Sequence, residues 1–284
     1  MNMNMKERTT TPKGKLLIIG GKEDRDDTEV EIKNKNEDFI PHEILKLLIS
    51  NKENRIEVIT TASSEPESMR DTYTKTFKEI GYTNFGFIHF VDKAMDEDIQ
   101  RIKNSKAVFF TGGDQNVICD KFKNTPLCDA LKEKYLNEDD FVIAGTSAGA
   151  MCMPEIIICE GEDGEAILKN DITLASGLGL LSWCIVDTHF VHRGRFGRLS
   201  HAVMIKRECF GIGLGEDTAL LIEEGKRAIC KGSGMVIGIS ARDLAKTNVD
   251  TAEDGHPVYG ENLKVHIITD GCSIDLESGA FTAP

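Results

Sequence analysis

The stretch Phe141-Val-Ile-Ala-Gly-Thr-Ser-Ala-Gly-Ala150 decides how the chain is read. Phe141–Ala144 is a short, unbroken apolar run, which suits a strand buried on both faces. Gly145-Thr-Ser-Ala-Gly149 then turns the chain, and the small residues after it can start a helix. A Gly-x-Ser-x-Gly turn between a buried strand and a helix is a nucleophile elbow. Such a turn needs small flanking residues, because it holds the serine in strained φ/ψ and brings its neighbours within collision distance. The N–H of Ala148, at the start of the helix, can point at a developing oxyanion. The competing reading is a Gly-rich turn whose serine only caps a helix. The buried strand before it favours the elbow.

The same texture extends toward the N-terminus. Lys15-Leu-Leu-Ile-Ile-Gly20 is an apolar strand ended by Gly20-Gly21, and residues 22–38 read as a charged, solvated loop. A helix is expected after Pro41, with Ile44, Leu45, Leu47, Leu48 and Ile49 on its apolar face. Strand Ile56–Thr60, helix Glu67–Ile80 closed by Gly81, strand Gly86–Phe90, helix Asp96–Ile102 and strand Ala107–Phe110 follow, then helical segments to about Tyr135. Strands alternating with helices imply right-handed crossovers and a parallel sheet covered on both faces. After about residue 210 short β-rich runs dominate, separated by Gly and charged pairs. No internal repeat and no Pro/Ser linker divides the chain. The expectation is an α/β fold: a doubly wound, mostly parallel sheet with a β-rich C-terminal extension. It forms one domain over 14–284, after a polar tail, 1–13, expected to be disordered.

Composition narrows the function classes. The chain has 284 residues, 40% hydrophobic and 29% charged, with a net charge of −13. That is too apolar for a disordered protein. The acidity argues against a nucleic-acid partner, and no apolar run approaches the roughly 20 residues of a membrane span. No signal-peptide core precedes Gly14, so a cytoplasmic protein is expected. The eight cysteines show no Cys-x-x-Cys and no zinc spacing, so they read as reduced, buried thiols. Neither a metal nor an organic cofactor is expected.

A serine nucleophile needs a base, and the base needs an orienting acid. Of the seven histidines, His189 stands out. It ends the run Ile185-Val-Asp-Thr-His189, where an apolar strand turns polar; His192 is its competitor. For the acid, Gly211-Ile-Gly-Leu-Gly-Glu-Asp217 delivers two carboxylates at a Gly-flanked turn, and either Glu216 or Asp217 can fix the histidine tautomer. The order serine, histidine, acid differs from the serine, acid, histidine order of α/β-hydrolases, so an esterase fits poorly. Arg193-Gly-Arg-Phe-Gly-Arg198 crowds three arginines beside His189 and Asp187. Guanidinium groups recognise carboxylates bidentately, and Asp187 suits a cationic group, although ordinary ion pairing would also account for the cluster. Thr111-Gly-Gly-Asp-Gln115 lacks the marks of a nucleotide loop. Its glycines can supply a second oxyanion donor, and Gln115 can contact the substrate.

Taken in order, five blocks resemble the serine peptidase family that contains cyanophycinase and aspartyl dipeptidase (peptidase E). They are Gly20-Gly-Lys-Glu-Asp-Arg25, Phe110-Thr-Gly-Gly-Asp-Gln115, Gly145-Thr-Ser-Ala-Gly-Ala150, Asp187-Thr-His-Phe190 with Arg193-Gly-Arg-Phe-Gly-Arg-Leu199, and Gly213-Leu-Gly-Glu-Asp-Thr-Ala219. The resemblance runs from about Lys15 to Ile274. It implies a fold like class I glutamine amidotransferases. It implies Ser147 as nucleophile, His189 as base and Glu216 as acid, with oxyanion donors at Gly113 and Ala148. It also implies substrate contacts from Gln115, Asp187, Arg193, Arg195 and Arg198. The implied substrate is cyanophycin or a related β-linked aspartyl polymer, a poly-aspartate with arginine on each β-carboxyl, released as β-aspartyl-arginine by a homodimeric enzyme. The rival readings are an aspartyl dipeptidase acting on small α-aspartyl peptides and a non-catalytic ligand-binding protein on the same scaffold. The acidic segment Cys159-Glu-Gly-Glu-Asp-Gly-Glu165 is a departure that can favour cationic side chains.

Overall fold

The computed structural model describes residues 10–25, 33, 35–161 and 167–284. Its first half runs β1 (Lys15–Ile19), β2 (Ile56–Ile59), α1 (Pro66–Ile80), β3 (Phe85–Ile88), α2 (Asp96–Asn104), β4 (Ala107–Phe110), α3 (Gln115–Phe122), α4 (Pro126–Asn137), β5 (Val142–Thr146) and α5 (Ala148–Met151). Then come β6 (Ile156–Gly161), β7 (Ile172–Ser176), β8 (Cys184–Asp187), α6 (Phe196–Ile205), β9 (Phe210–Leu214), β10 (Thr218–Glu223), β11 (Arg227–Gly232) and β12 (Val236–Ser240). The chain ends with β13 (Lys246–Thr247), β14 (Gly260–Glu261), β15 (Lys264–Ile268), β16 (Ser273–Asp275) and β17 (Phe281–Thr282).

The main sheet has the order β17-β16-β11-β10-β1-β5-β4-β2-β3. From β1 to β3 neighbouring strands are parallel, with Leu17 opposite Ala144 and Val108 opposite Ile143. On its other edge β1 pairs antiparallel with β10, placing Ile18 opposite Leu220, and the sheet continues antiparallel to β17. Four of the C-terminal strands, β10, β11, β16 and β17, therefore widen the main sheet beyond β1. A second sheet has the order β15-β12-β9-β8, with β8 and β9 parallel, and β6 and β7 pair antiparallel with each other.

Alternation along β1 shows why this strand is central. Leu16 and Ile18 enter one hydrophobic cluster while Leu17 and Ile19 enter another on the opposite face. All four are fully buried, each worth about 1.5–3 kcal/mol of apolar burial. Helix ends follow local chemistry. Pro66 opens α1, where a missing N–H costs nothing, and Gly81 closes it with φ 91°.

Two expectations change. The helix predicted after Pro41 is only a 3₁₀ turn, Leu45–Leu47. His42 adopts φ 56°, and its N–H donates to the Asp24 carboxylate at 3.1 Å, which bends the segment before a helix can form. Its apolar residues Ile44, Leu45, Leu48 and Ile49 are still buried. The loop 22–38 is not solvated at its start: Glu23 and Asp24 are 1% and 4% exposed. Residues 26–32 and 34 of that loop, 162–165 of the acidic segment and 1–9 of the predicted tail lie outside the described residues. Pro12 is buried and the Lys13 N–H donates to Leu136 O, so packing begins before Gly14. All eight cysteines are free, and all but Cys159 are buried. No described helix is long and apolar enough to cross a membrane.

Candidate active site

Parallel strands bring their C-terminal ends to one edge of a sheet, where ligands bind. At the end of β5, Ser147 has φ 53° and ψ −118°, a backbone conformation that costs a non-glycine residue on the order of 1–3 kcal/mol. The turn closes because its glycines lack side chains. A Cβ on Gly145 would lie 2.2 Å from Gly149 O, and one on Gly149 would lie 2.3 Å from Phe110 O. The Ser147 N–H donates to Ile19 O at 3.0 Å, which ties this turn to the end of β1.

His189 follows β8 with φ 49°, and its N–H donates to Gly20 O at 2.9 Å. Its ring lies between two partners: Nε2 is 3.0 Å from Ser147 Oγ, and Nδ1 is 2.8 Å from Glu216 Oε1. An ionised carboxylate only accepts hydrogen bonds, so Nδ1 carries the hydrogen and the Nε2 lone pair faces the hydroxyl. Burial lowers the imidazole below its ordinary value; the Glu216 hydrogen bond opposes this, and nearby Arg193 and Arg195 reinforce it. The ring is therefore neutral, and able to accept a proton, at pH 7. Burial pushes the Glu216 carboxyl up, but hydrogen bonds from His189 and Lys22 outweigh it and hold it below the usual range.

The two residues that spacing left open as the acid, of which the resemblance implied Glu216, diverge. Glu216 faces His189. Asp217 turns away, with φ 46°, to accept the Asp24 N–H and the Ser233 hydroxyl, and burial pushes its carboxyl up to about 6. His192, the other candidate base, is exposed.

One short turn joins these parts. In residues 19–25, Ile19 O, Gly20 O and Gly21 O accept the N–H groups of Ser147, His189 and Asp217 in succession. Gly21, at φ 100°, is packed so closely under the imidazole that a Cβ would meet His189 Cε1 at 2.3 Å. Lys22 Nζ is 3.2 Å from Glu216 Oε2. Buried Glu23 accepts the hydroxyls of Tyr73 and Thr146, the residue before the serine. A cleft of about 260 Å³ opens over Ser147 and His189, lined also by Gly21, Lys22, Arg25, Ser63, Ser64, Glu65, Met69, Gly112, Gly113 and Thr146. The sequence placed these turns at the strand ends but assigned no role to Lys22, Glu23 or Arg25. Their signal was charge directly after a buried strand.

Ala148 begins α5, so its N–H has no acceptor within that helix. Gly113 lies against Ala62 O, and the nearest atom to a Cβ on Gly112 is Ser147 Cβ at 3.5 Å, so this turn faces the serine. The other predicted contacts do not line the cleft. Gln115 Nε2 donates to Ile158 O. Asp187 is fully buried and grips Arg198 bidentately, with Nε and Nη2 each 2.6 Å from its oxygens. Arg195 Nη1 donates to Asp187 at 3.1 Å and to Thr188 O at 3.0 Å. Arg193 alone of the three arginines is exposed. Among the described residues no cluster of His, Cys, Asp or Glu has the makings of a metal site.

A serine beside a neutral histidine, on the edge of a parallel sheet and with the acid last in the chain, places the molecule among serine-type hydrolases outside the α/β-hydrolase order. Comparison with known proteins gives the family. Residues 28–230 match the model of Peptidase family S51, and the chain belongs to that family of serine-type peptidases. Cyanophycinase from Synechococcus elongatus is 32% identical over 226 residues, 78% of this chain and 70% of that protein. Cyanophycinase from Trichormus variabilis is 30% identical over 262 residues, 90% of this chain and 83% of that protein. Among solved structures, a peptidase from an acI-B1 Actinobacterium matches with a TM-score of 0.61 at 20% identity, covering 94% of this chain and 98% of its own. A putative peptidase E from Listeria monocytogenes matches at 0.53 and 15%, covering 77% of this chain and 98% of its own. At these identities the two structures establish likeness of fold.

Proposed function

We propose that the protein is a serine exopeptidase that hydrolyses cyanophycin to β-aspartyl-arginine, with Ser147 as nucleophile, His189 as general base and Glu216 as orienting acid. The observation that carries this reading is the continuous hydrogen-bonded line from Ser147 Oγ through His189 to Glu216, at 3.0 and 2.8 Å. The cyanophycinases among its relatives supply the substrate class.

His189 Nε2 takes the Ser147 proton as Oγ attacks the scissile carbonyl. The carbonyl oxygen becomes an oxyanion, held by the N–H groups of Ala148 and Gly113. The imidazolium, stabilised by Glu216, then protonates the leaving amine and the C–N bond breaks. A water, deprotonated by His189, hydrolyses the acyl-serine ester and restores the hydroxyl. The polymer presents both carboxylates and guanidinium groups. We place its carboxylates at Arg193, which is exposed, and at Arg25, which lines the cleft beside Glu23, and treat Asp187, Arg195 and Arg198 as the support of the turn that carries His189 and Gln115 as a support of β6. A homodimer inside the cell completes the proposal.

Incubation with insoluble cyanophycin, followed by mass analysis of the soluble fraction, tests the reading. The wild type is expected to release β-aspartyl-arginine, and Ser147→Ala is expected to lose at least about a thousandfold in rate. A folded wild-type protein that releases none of this product would overturn the substrate assignment.

A further inference from the structure

We propose that Lys22 is a positioning residue of this peptidase, whose ammonium holds the outer oxygen of Glu216 so that the inner oxygen stays aimed at His189. The inference rests on the catalytic roles given above to Ser147, His189 and Glu216.

A glutamate's terminal torsion is broad, so one hydrogen bond leaves its carboxylate free to swing. Here each oxygen has its own cationic or N–H partner: Oε1 faces His189 Nδ1 at 2.8 Å and Oε2 faces Lys22 Nζ at 3.2 Å. The charged groups around the pair come from separate segments: Lys22 from the turn after β1, Arg193 and Arg195 from the turn after β8, and Asp217 beside Glu216 itself. Of these, Lys22 is the cation in contact with the Glu216 carboxylate.

An exposed lysine–carboxylate pair usually contributes little, since a flexible side chain must be ordered to make it. Lys22 differs on two counts. Glu216 is only 12% exposed at its side chain, so water screens the pair on one side only. The lysine backbone is also fixed from both sides. Gly21 is locked under the imidazole, Glu23 is buried on Tyr73 and Thr146, and Lys22 itself is held at φ 45°. A lysine in that strained conformation is placed by the turn, which directs its stem toward Glu216.

The test compares Lys22→Met and Lys22→Arg with wild type by the rate at which a fluorophosphonate labels Ser147, followed by mass spectrometry as a function of pH. This readout is independent of the natural substrate. Lys22→Met is expected to keep the wild-type melting temperature and to label about tenfold more slowly, or slower still, at pH 7. Its acid limb is expected to move to higher pH, because a cation that opposed protonation of the Glu216–His189 pair is gone. Lys22→Arg is expected to restore most of the rate. Equal rates and equal pH profiles for Lys22→Met and wild type would overturn the proposal and leave the catalytic triad standing. So would a Lys22→Arg variant as slow as Lys22→Met. A wild type unlabelled at Ser147 would overturn the triad, and the role of Lys22 with it.

Discussion

Two charged segments approach the same histidine and use their charges differently. In Gly20–Arg25, Lys22 and Arg25 line the cleft although each also has a carboxylate partner, Glu216 and Glu23, while Glu23 and Asp24 point inward to hold Thr146 and the Asp217 turn. In Arg193–Arg198, two of three arginines turn inward to one buried carboxylate, Asp187, and of the three only Arg193 is exposed. Along the sequence the second segment is the more conspicuous, because like charges crowd there in an acidic chain. In space the first lies against the His189 ring and lines the cleft over Ser147. Charge density along a chain does not tell which charges are left for a ligand, because a buried counter-ion removes them.

The largest effect is expected from Asp187→Ala. It would leave Arg195 and Arg198 buried without their carboxylate, and a stability loss of about 3–5 kcal/mol should appear in chemical denaturation. A variant that keeps its stability and loses only substrate affinity would break the contrast, by showing that the arginines face the ligand.

Asp217→Asn probes the other segment's buried contacts. The folded-state carboxyl is raised from 3.8 to about 6, so the folded state holds its proton more tightly than the unfolded chain. Stability from this group is greatest below pH 4 and is lost as pH rises toward 6 and beyond. The asparagine variant should melt higher than wild type at pH 8, by up to about 3 kcal/mol of stability, with the gap closing at pH 4. A gap that widens on acidification would refute the burial argument.

Arg193→Ala sharpens the comparison at its weakest point. Its side chain is exposed, so the melting temperature should not move, whereas KM for the polymer should rise about fivefold, roughly 1 kcal/mol. An unchanged KM would leave the whole segment without a ligand contact.

The smallest expected effect concerns the residue between the segments. Burial lowers His189, so the acid limb of kcat/KM should fall below the ordinary histidine value of about 6.5. A limb above 7 would exclude His189 as the base.

Much of the fold was legible because burial writes a local pattern. Leu16–Ile19 and Ala107–Phe110 are unbroken apolar runs, and both are inner strands covered on two faces, β4 parallel to both neighbours and β1 parallel to β5. The segment after Pro41 shows the limit. Its apolar residues are buried as read, yet Asp24 captures His42 and no α-helix forms. Ser147 and His189, which the structure brings within 3.0 Å of each other, stood out because a Gly-flanked turn after a buried strand and an apolar strand ending in His carry local signals. Glu216 could not be separated from Asp217 by spacing, since adjacent residues in a turn differ only in direction.

By itself the sequence determined the α/β layering, the serine of the Gly-rich turn after β5 and the small set of histidines and acids near it, because periodicity and glycine placement act over a few residues. Only the tertiary structure decided that Asp217 turns away from His189 while Glu216 meets it, that Arg195 and Arg198 are turned to Asp187, and that Lys22 reaches Glu216 across 194 residues of sequence. Those outcomes depend on where β1, β5, β8 and β9 end relative to one another, and contacts between distant strand ends leave no mark in local periodicity.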